Sequence, residues 1–427
     1  TINLEFVSAN PTGPIHLGST RWAAVGDALA NILEAEGANV VREYYFNDHG
    51  TQIDRFVNSL LAAAKGEPTP EDGYAGAYIT DIKDQILAQR PDALDAENPA
   101  EVFREIGTEL MFAQIKESLH RFGTDFDVFF HENSVFESGE ADRIIEQMKQ
   151  DGQLFESEGA WWMRTTDYGD DKDRVVIRDN GVPTYLAADI AYHKNKYERG
   201  FKKMINIWGA DHHGYVARVK AAMEALGFDA DKLEILLLQM VSLFRNGELV
   251  KMSKRTGRAI TLNELIEEVG TDAARYFFIM RSLDTQLDFD LDLATSHSNE
   301  NPVYYIQYAN ARIFSIYRQV AENGDTFDMT WKNVVWNKLQ EERELELIKK
   351  ISAYPEEIQT AAADRAPHRI ARFVYELAGL FHAFYNNCHI IQSDKELEEA
   401  RLALVTAVQI TIANSLAVLG ISAPEKM

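Results

Sequence analysis

Apolar and polar positions alternate in INLEFVSA, residues 2–9, which predicts a strand. Helical spacing then takes over. Trp22, Val25, Leu29, Ile32 and Leu33 recur on one face, and Gly37 closes the run. NVVREYYFN predicts a second strand, so the chain opens as the first unit of a doubly wound α/β sheet. From residue 51 to about 122 the period is helical, in IDRFVNSLLAAAKG and PAEVFREIGTELMFAQIKESLHRFG, with a Pro/Gly/Asp-rich segment at 66–76. This predicts a helical insertion. DFDVFFHE and AWWMRTT return to strand character, a second insertion is expected at about 140–175, and the acidic stretch 167–173 is expected to be a solvated loop. MINIWGAD predicts a strand. Val216, Val219, Met223 and Leu226 predict a helix closed by Gly227, and KLEILLLQMVSLF predicts one long buried parallel strand. From about 289 strand signals vanish. Helical patterns cover 301–320, 333–352 and 366–391, and Ser393 with Glu396 predicts a capping box for a last helix. The expected organisation is a doubly wound parallel-sheet domain over 1–288, followed by an all-helical domain over 289–427.

The 427 residues suit two or three domains, and 46 % apolar with 26 % charged residues is ordinary for a globular chain. The formal net charge of -24 argues against non-specific nucleic-acid binding, and so against DNA as a partner. A local basic patch can still hold one nucleic acid, because screening limits charge effects to roughly 10 Å. The single cysteine, Cys388, excludes an internal disulfide framework and fits a reducing cytoplasm. No uninterrupted apolar run reaches about 18 residues, so no membrane span is expected. No signal peptide is expected either. The chain opens at Thr1 inside a predicted strand, so further residues upstream are expected.

Three stretches carry chemistry. In NPTGPIHLGST, residues 10–20, two prolines and two glycines surround His16 between a strand and a helix. The first N–H groups of a helix lack intrahelical partners and carry the positive end of its dipole, so such a turn attracts phosphate. Gly13 and Gly18 allow close approach to the backbone. An imidazole there can donate to a phosphate oxygen while charge builds up at phosphorus. A turn or capping histidine fits the stretch equally well. The second stretch is KMSKRTGR, 251–258. From Arg245 to Arg258 there are five basic residues and one acid. Lys251 and Lys254, with Ser253 between them, can close over a polyphosphate, with Lys254 neutralising a leaving pyrophosphate. A solvated basic loop is the alternative. The stretch follows the last predicted strand, on the carboxyl edge where α/β sheets bind ligands. In the third, WGADHHG at 208–214, Gly209 can admit a ribose or base and Asp211 can accept from ribose hydroxyls; a plain turn is the alternative. No metal site is expected from Asp211, His212 and His213, because adjacent histidines rarely chelate one ion.

An HxG sequence after the first strand and KMSK after the last are, in this order, the two signatures of class I aminoacyl-tRNA synthetases. The wider stretches EFVSANPTGPIHLG, YYFNDHGTQI, PTYLAADIAYH and NPVYYIQYANARI, and the ending SAPEKM, resemble the arginyl-tRNA synthetase family over essentially the whole chain. The resemblance implies a Rossmann-like catalytic domain and an anticodon-binding helical domain. It implies that His16, Gly18, Gly209, Asp211 and the Lys251–Lys254 stretch hold ATP, with His16, Lys251 and Lys254 catalytic. Ser19 stands where a second histidine is usual, so weaker transition-state stabilisation is expected there. The arginine pocket maps onto Asn10, Tyr185 and Asp189. A helix after Pro183 would put Tyr185 and Asp189 on one face, and a carboxylate suits a guanidinium. Asp48 is expected in the pocket too, with a turn role as the alternative.

Tyr305, Tyr308, Arg312, Tyr385 and Met427 match anticodon-contacting positions, where aromatic faces stack bases and arginine holds phosphate. Core aromatics are the alternative. The implied partners are tRNA(Arg), L-arginine and ATP with Mg²⁺, in a monomeric cytoplasmic enzyme without a structural metal. The family's N-terminal domain for the tRNA elbow has no counterpart here, so weakened tRNA binding is expected, and the family tends to require bound tRNA before activation. A class I synthetase of another specificity, a small-molecule nucleotidyl transferase and an idle tRNA-binding paralogue are the alternatives.

Overall fold

The opening units form as the pattern predicts: β1 (Ile2–Glu5), α1 (Leu17–Ala35) and β2 (Val40–Phe46). In the computed structural model, residues 1–251 and 259–427 are described. Helices α2 (Thr51–Lys65), α3 (Ala77–Gln89) and α4 (Pro99–Arg121) fill the expected helical insertion. Asn98 caps α4 by accepting from Glu101 N, with Pro99 just inside the helix, where its missing N–H costs nothing. The chain then forms β3 (Val128–His131), α5 (Glu132–Glu137) and α6 (Glu140–Gln150). An antiparallel meander follows, β4 (Leu154–Ser157), β5 (Ala160–Met163) and β6 (Arg174–Ile177). After it come α7 (Tyr185–Glu198), β7 (Lys203–Gly209), α8 (His213–Ala225) and β8 (Leu233–Leu238).

Five strands make one sheet in the order β3-β2-β1-β7-β8, with every neighbouring pair parallel. The chain winds outward from β1 to β3, then returns to β7 on the other side. The strand order therefore reverses between β1 and β7, and a crevice opens beyond their carboxyl ends. The acidic stretch 167–173 is mostly exposed, as expected, with one exception. Thr165–Tyr168 form a 3₁₀ turn, and buried Asp170 accepts two bonds of 2.8 Å from Arg174 on β6. That guanidinium holds Asp170 well below the usual carboxylate range.

The run 232–244 is not one strand. β8 ends at Leu238, and after Gln239–Met240 a second strand, β9 (Val241–Arg245), joins a separate sheet. There it pairs antiparallel with β10 (Glu248–Val250) and parallel with β11 (Leu287–Asp290). The break matches a division into two compact units. One comprises Thr1–Gly26, Asn39–Met240 and, among the described residues, 259–263. The other comprises Asp27–Ala38, Val241–Lys251 and Glu264–Met427. The helices of its latter part are α9 (Leu262–Val269), α10 (Thr271–Ile279), α11 (Leu291–Thr295), α12 (Pro302–Glu322) and α13 (Glu342–Ser352). They continue as α14 (Tyr354–Ala363), α15 (His368–Asn387) and α16 (Lys395–Val418).

The expected capping box of the last helix is not the one that forms. Asp394, not Ser393, caps α16 by accepting from Leu397 N. A carboxylate there also complements the helix dipole. The reciprocal capping box lies instead at Glu341 and Glu344, opening α13. By length and composition α16 could cross a membrane, but 56 % of its most apolar window is buried within the protein. It also carries buried Arg401, paired to Glu344 at 2.5 Å. These are features of a core helix.

One glycine of the sheet unit is fixed by packing. A methyl group at Gly26 in α1 would sit 2.2 Å from the ring of Phe6, which is fully buried. Alanine adds up to about 1 kcal/mol of helix propensity, but overpacking a core costs about 1–3 kcal/mol. Gly26→Ala is therefore expected to lower stability by roughly 1–2 kcal/mol. An unchanged denaturation midpoint would count against this packing.

Candidate functional site

The crevice between β1 and β7 holds a cavity of about 730 Å³. One wall is the chain leaving β1. Val7 and Ser8 adopt positive φ values of 70° and 45°. For a β-branched residue such backbone costs on the order of 1–3 kcal/mol, and it concentrates where function requires a particular geometry. The bend brings Ser8 Oγ within 3.1 Å of both Glu5 Oε1 and Tyr45 N. Asn10 lines the same wall and donates to Gln52.

The opposite wall is α7. Asp189 faces the cavity, and Tyr185, 68 % exposed, stands one turn earlier at its mouth. Tyr215 donates to Asp189. Burial, reinforced by Glu132 and Glu5, outweighs this bond and pushes the Asp189 carboxyl up to about 7. Glu132 is likewise pushed to about 7, chiefly by burial and further by Asp48. Glu5 is buried and lines the floor, where Lys196 Nζ pairs with it at 2.7 Å. Beside it, burial would raise Glu43, but Arg199, Lys196 and Tyr192 outweigh that and hold it low. Arg199 makes two parallel bonds to Glu43 of 2.7 and 2.9 Å. The cavity is thus lined by acidic groups, of which Asp189 has no cation within hydrogen-bonding distance among its described partners. It suits a ligand with a cationic end.

The far end is built from the first turn of α1 and the end of β7. Gly18, Ser19 and Trp22 line it, with Gly209, Asp211 and His212 facing them. A methyl group at Gly18 would meet nothing within 4 Å, so the room beside it belongs to the cavity. Gly209 has a different cause. A methyl group there would fall 2.3 Å from Asp211 Oδ1 and 3.5 Å from Trp22. That glycine makes room for the protein's own carboxylate. A flat apolar face, Trp22, and exposed acceptors on Asp211 together suit a nucleoside.

Asn10, Gly18, Ser19, Tyr185, Asp189, Gly209 and Asp211 therefore share one cavity. Other candidates lie elsewhere. Gly13 packs against Tyr78, whose hydroxyl donates to Thr12 O at 2.8 Å, and is not part of the wall. Asp48 accepts from His131 Nδ1 at 2.7 Å and from Asn133 N at 2.9 Å, and it lines a separate cavity with Phe46 and Arg104. These two partners account for its carboxylate, in keeping with the turn alternative. His16 is exposed just before α1. Its neighbours are pinned to the chain beyond 258: Leu17 N donates to Ile260 O at 3.1 Å and Leu262 N to Ile15 O at 2.8 Å. Lys251 belongs to the second compact unit. Ser253 and Lys254 lie outside the described residues. Among the described residues no group of three or more His, Cys, Asp or Glu side chains could hold a metal ion.

In the second unit, Arg312 on α12 stacks over Tyr308 at 4.7 Å and Tyr385 at 4.4 Å. It also donates to Tyr308 Oη at 3.1 Å. With Arg318, Lys426 and Met427 these residues line a cavity of about 420 Å³. Tyr305 lies behind it, against Tyr375 and His382. Three cations and two tyrosines thus share one concavity of an acidic chain, a chemistry that suits an unpaired, phosphate-bearing strand.

The motifs do not point to Glu5, Trp22, Tyr45 or Tyr215 in the first cavity, nor to Arg318 and Lys426 in the second. Glu5 had a signal. A carboxylate in a strand buried along nearly its whole length is out of place unless it has a task.

Comparison with known proteins agrees with this layout. Residues 1–282 match the family of class I (R) tRNA synthetase catalytic domains, and residues 306–427 match the DALR anticodon binding domain. A Campylobacter jejuni structure provisionally named as an arginyl-tRNA synthetase is 36 % identical with a TM-score of 0.91, over 100 % of this chain and 94 % of that one. The Thermus thermophilus arginyl-tRNA synthetase is 24 % identical with a TM-score of 0.79, over 100 % and 82 %. A Mycobacterium tuberculosis methionyl-tRNA synthetase in complex with methionyl-adenylate is 12 % identical with a TM-score of 0.68, over 99 % and 92 %, which speaks to the fold alone. The two domain matches cover the parallel-sheet part and the helical part in turn, and the chain belongs to the class I tRNA synthetases, in the arginine family with a DALR anticodon-binding domain.

Proposed function

We propose that the chain is an arginine–tRNA ligase. The observation that carries this reading is the half-buried Asp189 carboxylate, which faces a switch-point cavity and is hydrogen-bonded to Tyr215, with Arg218 near enough to act on its charge but not among its described hydrogen-bond partners. A guanidinium seated there would meet Asp189, with Tyr185 along its aliphatic stem and Asn10 on the opposite wall. Trp22, Gly209 and Asp211 would hold the adenosine. The first turn of α1, at Gly18 and Ser19, would receive the phosphates, with His16 and the lysines at 251 and 254 acting on them.

In the first step an oxygen of the arginine carboxylate forms a bond to the α-phosphorus. The bond from that phosphorus to the bridging oxygen breaks, releasing pyrophosphate and leaving arginyl-adenylate. In the second, a hydroxyl of the tRNA's terminal ribose attacks the arginyl carbonyl and AMP leaves. The protein's part is positioning and charge stabilisation, with no covalent enzyme intermediate. ATP brings Mg²⁺, whose ligands come chiefly from phosphates and water. Tyr308, Arg312, Tyr385 and Met427 would receive the anticodon loop of tRNA(Arg), with Tyr305 behind them.

ATP–pyrophosphate exchange across the amino acids, with and without tRNA(Arg), tests this. Exchange is expected with arginine and to depend on the tRNA. Exchange supported by another amino acid and not by arginine would move the chain to a different specificity. No exchange with any amino acid would leave a tRNA-binding protein without the activity.

A further inference from the structure

Beneath the cavity floor runs a hydrogen-bond chain whose directions all follow from one residue. Lys196 is fully buried and can only donate. Its Nζ lies 2.7 Å from Glu5 Oε2 and 2.8 Å from Asn206 Oδ1. The amide oxygen of Asn206 therefore faces the lysine. That turns Nδ2 toward His193 Nε2, at 2.9 Å. An amide nitrogen only donates, so Nε2 accepts and the ring's single proton sits on Nδ1. Nδ1 in turn lies 2.8 Å from the carbonyl oxygen of Asp189, which can only accept.

The chain ties three elements together. Glu5 is on β1, and Asn206, its register partner, is on β7. Lys196, His193 and Asp189 are on α7. Glu5 and Asp189, at its two ends, line the cavity, and the nearly buried His193 ring forms part of the same wall, while Asn206 is fully buried below. Both ring nitrogens of His193 are engaged, so the imidazole turns no donor or acceptor toward a ligand.

We propose that Asn206 and His193 are positioning residues for amino-acid binding: the chain from Glu5 to Asp189 locks the first turns of α7 against β1 and β7, and so sets where Asp189, which receives the cationic end of the substrate, stands relative to the cavity floor. This rests on the reading of the cavity as an arginine site. The polarity of the chain makes it testable by chemistry rather than by size. Glutamine at 193 carries one acceptor and one donor for the same two partners. Leucine fills similar space with neither. Aspartate at 206 sets an acceptor against Nε2 where a donor stood.

The experiment is tRNA-dependent exchange, with KM and kcat measured separately for arginine and ATP. His193→Leu is expected to raise the arginine KM roughly tenfold or more, since it leaves buried polar groups unpaired, with kcat and the ATP KM within about twofold. His193→Gln should return the arginine KM to within about threefold of wild type. Equal defects in the two variants, a defect confined to kcat, or no defect in a folded His193→Leu protein would overturn the proposal. Should His193→Leu not fold, Asn206→Asp decides: a raised arginine KM is expected, and an unaltered one overturns the proposal. The two readings separate cleanly. A wild-type protein that does not use arginine removes the substrate assignment and the inference with it. One that uses arginine, with variants indifferent to polarity, removes only the inference.

Discussion

Asp189→Asn is expected to lower kcat/KM for arginine by roughly 30-fold to several thousand-fold, the equivalent of about 2–5 kcal/mol for removing one partner of a buried charge pair. The shape of the side chain is kept, but a charge is lost and an acceptor becomes a donor aimed at a guanidinium that can only donate. The carboxyl also gives the wild type a pH signature. Burial and neighbouring carboxylates push Asp189 to about 7, so below that the free protein holds a proton there. A bound guanidinium favours the ionised form and must expel that proton. The apparent arginine Kd should therefore rise as pH falls below about 7, approaching tenfold per pH unit for one proton, and level off above it. Glu132, also pushed to about 7, steepens the curve if it ionises together with Asp189.

The stability consequence has the opposite sign to that of a salt-bridged acid. The folded pKa lies above the unfolded value of about 3.9, so between about pH 4 and 7 the folded state holds the extra proton and loses stability as pH rises. Arginine should restore that loss most strongly on the alkaline side. Calorimetric binding and melting, with and without arginine, read both effects. A flat wild-type profile, or an asparagine variant within threefold of wild type, would end the assignment of Asp189 to the guanidinium.

Much of the scaffold could be read from periodicity. The strand, turn, helix and strand at the start, the helices of 51–122 and the long helices near the end all announce themselves because burial on one face imposes a period. The run 232–244 does not, because β8 and β9 are both apolar and only a change of sheet, invisible in one dimension, separates them. The site divides along the same line. Tyr185 and Asp189 could be paired because helical spacing relates them locally. Glu5 could not be paired with Asn206 or Lys196, because their meeting depends on strand register and on the crossover that lays α7 against the sheet. Asp48 shows the converse. A carboxylate near a strand end reads as a pocket residue until its partners, His131 and Asn133, come from a strand and helix distant in the chain.

His16→Ala is expected to cost roughly 10²–10³ in kcat for adenylate formation, with the KM values for arginine and ATP changed only a few-fold. Leu17 N donates to Ile260 O, so the first helix donors facing the cavity are those of Gly18 and Ser19, which line it. They serve phosphate in the ground state and the transition state alike, and so act mainly on KM. A group at the edge of that anion site matters most when negative charge grows at the α-phosphorus, which is where a loss in kcat comes from. Ser19→Ala provides the scale. A single neutral hydroxyl contributes about 0.5–1.5 kcal/mol, hence a loss of roughly 2- to 12-fold. Misfolding would not explain the larger loss, since the turn is held by backbone bonds from Leu17 and Leu262 that need no imidazole. The melting temperature of His16→Ala, measured beside its kinetics, separates a loss of folding from a loss of chemistry. Pre-steady-state adenylate formation separates the cases. A slowed chemical step at saturating substrates supports the role, whereas a normal rate constant with a raised ATP KM would reduce His16 to a binding contact.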